Sequence, residues 1–364
     1  MDRAGRLRLP RLIVAFLAAH ALTSCEPSPR VIGVSTSAPY VDAARMALAD
    51  ALPDGPIPGL DTVINSSGGN LAAPALEAAA ELVSIPGLMA VVGHSNSAAS
   101  LAAAPVYAEH EVVQLSPTAS AVLYSGMGPY QFRLVPPDDR QGGFLAEEIK
   151  RLLPDRGRIA LFYVNDDYGR GLREAVLDRL DGTAYDVVVD LPHMEDDITD
   201  TDVTHALKAL VATAPDAILW LARGVILDRY LDDIRRILPN APILGGDAIE
   251  SGSVDLGSER YRHVSSVSFL DLTATEALRA FTQRYEERFA RRASAPDALT
   301  YDAIGLLVAG LRAGASDGAE LRVYLMSLGR DRPAFEGITG PVAFDDDGNV
   351  ERSYVLTRHG PRRQ

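Results

Sequence analysis

Short unbroken apolar runs alternate along the chain with longer stretches whose apolar residues recur at helical spacing. Residues 31–34 (VIGV), 89–92 (MAVV), 112–115 (VVQL), 158–164 (RIALFYV), 186–190, 217–221 (AILWL) and 243–244 are the runs, and they predict buried strands. Helices are predicted over 41–52, 72–82, 142–153, 171–180, 203–211, 226–238, 298–311 and 319–328, with another carried by Leu278, Phe281, Tyr285 and Phe289. An Ala-rich helix follows His94-Ser95-Asn96-Ser97. The tail, 342–344 and 352–357, reads as a hairpin around Asp345–Asn349. Strands that alternate with helices imply an α/β fold with mostly parallel sheets flanked by helices. The number of such units suggests two lobes, with chain crossings expected near Val135-Pro136-Pro137, 266–270 and 338–341.

The stretch 91–120 carries the first chemistry. Two consecutive strands there each end in a hydroxyl-rich turn, Ser95-Asn96-Ser97 and Ser116-Pro117-Thr118-Ala119-Ser120. In an open parallel sheet both turns fall at the same edge, where ligands bind. Main-chain N–H groups at a helix start, together with hydroxyls, suit a carboxylate. The same residues also serve as ordinary helix caps, and spacing alone leaves both readings open.

The N-terminus changes the picture of where the chain resides. Four arginines up to Arg11 precede an apolar core at 12–22, too short for a membrane span of roughly 20 residues but suited to a secretory signal. It ends in Leu22-Thr23-Ser24-Cys25, and Cys25 is the only cysteine of the chain. This resembles a bacterial lipobox, which implies cleavage before Cys25, acylation of its sulfur and a tether over 25–30. The alternative is a plain signal peptide. An acylated Cys25 leaves no thiol for a disulfide. A formal net charge of −14 argues against nucleic acid and against an anionic membrane surface as partners, so membrane contact is expected through the anchor alone.

Seven motifs together resemble the branched-chain-amino-acid type of periplasmic substrate-binding protein, a two-lobed receptor that feeds ABC importers. They are VVGHSNSAAS (91–100), QLSPTAS (114–120), YVNDDYGRGL (163–172), PDAILWLA (215–222), ILGGDA (243–248), YDAIGLLVAGL (301–311) and GITGPVAFDDDGNV (337–350). The resemblance implies an N-terminal lobe of 31–135 plus 267–338 and a C-terminal lobe of 136–266 plus 339–364. It also implies an interlobe cleft for an amino acid or related zwitterion, an ABC permease as partner, a monomer, no cofactor or metal, and no catalysis. Ser97 and Ser120 stand where hydroxyls, and Thr118 where a main-chain group, meet the amino-acid carboxylate. Asp247 stands where an acid meets the ammonium, and Tyr168 where an aromatic wall lies. Three departures bear on specificity: a short loop at 35–42 whose aromatic is Tyr40, Arg223-Gly224 in place of tyrosines, and no disulfide. An inward Arg223 would favour an acidic or polar ligand side chain. An outward one would pair with Asp228 or Asp232.

Other readings of the same residues stay open. Gly314-Ala315-Ser316-Asp317-Gly318 fits the G-x-S-x-G hydrolase motif but follows a helix, where its glycines shape a turn. Asp345, Asp347 and Asn349 mimic the start of a calcium loop, yet Val350 and Leu356 stand where Gly and Glu belong. Two further alternatives are a fold-alike envelope lipoprotein acting as an interaction or regulatory module, and a receptor for an amide, urea or small organic acid. Which membrane carries the anchor is also open.

Overall fold

The computed structural model describes residues 29–52, 60–65, 71–193, 199–250 and 254–361. Residues 1–24, read above as a signal, Cys25, residues 26–28 of the expected tether and the acidic run 195–197 lie outside them.

In the first part of the chain, β1 (Arg30–Ser35), α1 (Ala38–Ala51), β2 (Leu60–Asn65), α2 (Ala72–Val83), β3 (Leu88–Gly93), α3 (Ser97–Glu109), β4 (Val113–Ser116) and β5 (Gln131–Arg133) follow in order. Their strands form one parallel sheet ordered β2-β1-β3-β4-β5. The second part runs α4 (Asp138–Leu152), β6 (Gly157–Val164), α5 (Asp167–Leu180), β7 (Tyr185–His193), α6 (Asp200–Thr213), β8 (Ala217–Leu221), α7 (Gly224–Ile237), β9 (Ile243–Gly245) and β10 (Val264–Ser268). After α8 (Glu276–Phe289), α9 (Ala295–Arg312), α10 (Gly318–Ser327) and the small hairpin of β11 (Phe335–Gly337) with β12 (Gly340–Val342), β13 (Val355–Arg358) closes the second sheet. That sheet is ordered β13-β10-β9-β8-β6-β7, with β13 alone antiparallel.

The two parallel cores repeat one winding. Counted within each sheet, the spatial order is second, first, third, fourth, fifth strand in both cases. A winding of this kind reverses direction between its first and third strands and leaves a crevice there at the strands' carboxyl ends. The crevices lie after β1 and β3 in one lobe and after β6 and β8 in the other.

Strands covered on both faces read as continuous apolar runs. β8, AILWL, is buried throughout, and Trp220 within it packs on Phe162, His193 and Tyr230 at ring distances of 5.5, 5.3 and 5.3 Å. In the other lobe Ile32, Val92, Leu115 and Phe132 meet Leu299, Ile304 and Leu307 of α9. Among the described residues no helix is long and apolar enough to cross a membrane.

Two expectations need correction. The tail forms no extended hairpin. Phe344 and Val350 make a single bridge, while β13 leaves to pair with β10. The lobe boundaries also shift. Val267 and Ser268 remain in the second sheet, so the chain crosses after them rather than before 267. Val342, Phe344 and Val350 pack into the first core, so the last crossing follows Val350 rather than Ile338. Arg352 ties these crossings together, donating from Nε to the Leu134 carbonyl (2.9 Å) and from Nη1 to the Thr339 carbonyl (2.7 Å).

Candidate ligand site

A cavity of ≈ 320 Å³ lies between the two sheets, at the carboxyl ends of both. Tyr40, Ser97, Thr118, Ser120, Tyr168, Arg223 and Asp247 all line it. The open question about Arg223 is answered by Arg260, which takes Asp228 (2.8 Å) and Asp232 (2.9 Å), while Arg223 faces the cavity.

The near wall comes from the first lobe. Asn96 caps α3 by accepting the Ala99 N–H at 2.9 Å, which aims the helix start at the cavity. Ser97 Oγ accepts the Ala121 N–H (3.0 Å), so its own proton is left to donate. Thr118 differs. Its hydroxyl donates to the Ser95 carbonyl at 2.9 Å and its N–H leans on Ser116 Oγ through a long 3.4 Å contact, so a ligand can meet only that weakly held N–H. Tyr40 descends from α1. Burial first, then the charge of Asp297, pushes its phenol up to about 12, which keeps it neutral.

The far wall comes from the second lobe. Asp247 Oδ1 accepts from Gln141 Nε2 (2.9 Å) and Tyr168 Oη (3.0 Å), and the Asp247 N–H donates back to Gln141 Oε1 (3.0 Å). A side chain at the adjacent Gly246 would displace this network, since its Cβ would stand 2.5 Å from Tyr168 Oη and 2.8 Å from Gln141 Oε1. Burial raises the Asp247 carboxyl and these two hydrogen bonds oppose it. Behind them Asp138 is fully buried, and burial with the Asp247 charge raises its carboxyl well above the ordinary range. Burial thus raises both carboxyls, and of the two Asp247 alone lines the cavity.

Sequence reasoning missed Asp138, Gln141, Asp166 and Glu250. Asp166 caps α5 through the Gly169 N–H (2.9 Å) and also lines the cavity. Glu250 accepts from Ser266 Oγ (2.8 Å) and Ser268 Oγ (3.3 Å). Acidic residues at helix starts are ordinary, so nothing in the pattern set these apart.

Glu250 gives a pH prediction. Burial pushes its carboxyl up to about 7, and His359, which shares Ser266 Oγ at 2.8 Å, is pushed by burial down to about 4. From about pH 4.5 to 7 folded Glu250 keeps a proton that the unfolded chain has lost, so its contribution to stability falls as pH rises. His359 acts oppositely between about pH 4 and 6.5, because only the unfolded chain takes up its proton there. The two offset at acid pH, and of this pair Glu250 alone remains above about pH 6.5, where the raised Asp138 carboxyl acts in the same direction. Melting temperature of the unliganded protein is expected to decline from about pH 6.5 to 8, and Glu250→Gln to make that decline shallower.

The rival chemistries are accounted for. Ser316 Oγ donates to Glu320 Oε2 (2.8 Å) beside the N-terminus of α10. Asp345 Oδ1 accepts the N–H groups of Asp347 (3.0 Å) and Asn349 (2.8 Å), so its carboxylate shapes a turn. No group of potential metal ligands occurs among the described residues.

Two doubly wound lobes around a polar cleft define the class, a two-lobed binding protein. Residues 32–361 match the periplasmic binding protein family, and the chain belongs to it. A Leu/Ile/Val-binding protein homolog of Brucella abortus (strain 2308) is 24% identical over 292 residues, 74% of this chain and 71% of the relative. Among solved structures, LivJ of Streptococcus pneumoniae with isoleucine superposes with a TM-score of 0.77 at 22% identity, covering 90% of this chain and 95% of its own. The leucine-binding protein LivK of Thermotoga maritima gives 0.78 at 21%, covering 90% and 94%.

Proposed function

We propose that this protein is an exported, lipid-anchored receptor that captures an α-amino acid in its cleft and presents the closed form to an ABC permease. The observation that carries the reading is an opposition of charge across one cavity. Neutral donors at the start of α3 and in the 118–120 turn face the Asp247 carboxylate of the other lobe. A zwitterion spans that gap with its carboxylate on one wall and its ammonium on the other. Contacts with both lobes at once favour the closed state. Charge-assisted hydrogen bonds suit such a desolvated clamp. The isoleucine bound by the pneumococcal protein is a ligand of the same class.

A thermal-shift panel of amino acids, amides and small organic acids tests this. A ligand at about a thousand times its Kd adds about 4 kcal/mol of stability, a rise of several degrees at roughly 2–4 °C per kcal/mol. A panel in which organic acids or amides shift the melt and no amino acid does would replace the reading. The anchor rests on the sequence around Cys25. Cys25→Ser is expected to move the protein from the membrane fraction to the soluble exported fraction.

A further inference from the structure

An apolar stretch of the cavity lining comes from α1, from the crossing after Ser268 and from the first turn of α9. Its residues are Tyr40, Phe269, Ala295 and Pro296. Phe269 and Ala295 pack with Met46, Phe281 and Tyr285 in one core cluster. The first turn of a helix accepts Pro296, because an N–H there would have no partner within the helix.

Asp297 stands at the polar centre of this region and is fully buried. Its Oδ2 accepts from the Ser294 N–H (2.8 Å), Ser294 Oγ (2.6 Å) and Arg291 Nη1 (3.0 Å). Its Oδ1 accepts from Tyr285 Oη (2.9 Å) and Arg291 Nη2 (3.0 Å). Arg291 thus grips both oxygens in a fork, and it lies over the Tyr285 ring, 4.8 Å from its centre. The charges of Asp297 and Arg291 both reach the Tyr40 phenol, and Asp42 of α1 faces Arg291 and Tyr285.

We propose that Asp297 is a positioning residue for capture: with Arg291 and Tyr285 it sets where Ala295 and Pro296 stand, and so fixes the wall that meets the ligand's side chain. This rests on the amino-acid reading above and deepens it. A helix start needs no such fitting, since Ser294 and Asp297 by themselves complete the capping box of α9. Nor does stability call for it. A buried ion pair gains little over apolar groups of similar volume, because desolvation offsets its Coulomb attraction. A carboxylate bonded on all sides does confer a single geometry, and the residues next to it on the chain are the two that line the cavity. Donors at α3 and the Asp247 carboxylate take the charged ends of the ligand. The apolar wall is left to read the size of the side chain, and a wall locked from behind reads size more sharply than one that yields.

Calorimetric titration with the common amino acids tests this on the purified protein and on Arg291→Met and Tyr285→Phe. The quantity read is the ratio of affinity for the tightest-bound amino acid to affinity for glycine. Tyr285→Phe loses only the hydroxyl and keeps the ring, so it carries the test should Arg291→Met not fold. One methylene in a well-formed pocket is worth about 10–200-fold, and the ratio is expected to fall at least about fivefold in Arg291→Met and by a smaller factor in Tyr285→Phe. Arg133→Met acts from the other side of the cavity, through the loop after Ser120. It should weaken both ligands alike and leave the ratio unchanged. An unchanged ratio in Arg291→Met, or in Tyr285→Phe where Arg291→Met does not fold, overturns the positioning role. So does an equal fall in Arg133→Met, or glycine as the tightest ligand of the wild type; amino-acid capture stands in each of these cases. Failure of every amino acid to bind overturns the amino-acid reading itself.

Discussion

Asp247→Ala is expected to abolish most amino-acid binding while the fold persists. Truncating one partner of a buried, hydrogen-bonded charge pair costs about 2–5 kcal/mol, at least about 30-fold in Kd. The variant strands Tyr168 Oη, which lines a cavity that water can enter, while Gln141 Nε2 keeps its long contact with Asp138 Oδ1 (3.4 Å), and it removes the charge that presses on Asp138. Melting temperature without ligand should therefore change little. Asp247→Asn separates charge from shape, because its amide oxygen still accepts from Gln141 and Tyr168. Affinity should fall in this variant as well. Titration showing wild-type affinity in either variant would remove Asp247 from the ligand's ammonium.

The second large effect concerns stability. Arg133 is fully buried at the end of β5, donating from Nε to Asn349 Oδ1 (2.6 Å), from Nη1 to the Ala121 carbonyl (2.8 Å), and to Ser125 Oγ. It pins the loop after Ser120 to the Asp345 turn, two segments separated by more than two hundred residues of chain. Arg133→Met keeps much of the volume but removes every guanidinium hydrogen bond at once, leaving Asn349 Oδ1 only Ser125 Oγ (3.1 Å) and the Ala121 carbonyl only the Tyr124 N–H (3.0 Å). Hydrogen bonds from a charged group contribute about 1.5–3 kcal/mol each, so a loss of about 3–5 kcal/mol is expected in urea denaturation. A loss below about 1 kcal/mol would mean that the remaining donors suffice to hold these segments.

Ligand affinity should weaken in the same variant, since Ser120 precedes the released loop. Most of the α/β alternation was readable because strands covered on both faces carry unbroken apolar runs, as β8 and β3 do. β2 was not readable: it is an edge strand whose Asp61 and Asn65 interrupt the pattern. β5 was hidden for the opposite reason. Gln131 and Arg133 look like surface residues, yet both are buried, because their partners are Ala104 and Asn349. The tail misled because its alternating residues fit either a local turn or a distant strand, and β10 offered the longer pairing.

The site divides along the same line. Residues within the turns that carry the family resemblance, such as Ser97, Thr118 and Tyr168, could be named from that resemblance and do line one cavity. Gln141 could not, because its meaning depends on Asp247, 106 positions away. Asp138 likewise gains its character from burial and from a neighbouring charge rather than from its place at a helix start.

The shared winding of the two sheets has a consequence for how such a receptor can change its diet. Most groups around the cavity sit on a connection leaving a strand, and few belong to the strands' buried interior. Substitutions or length changes in those connections can retune recognition while the load of folding stays on the strands beneath. New solute repertoires are thus open to this architecture by exchange of tips alone.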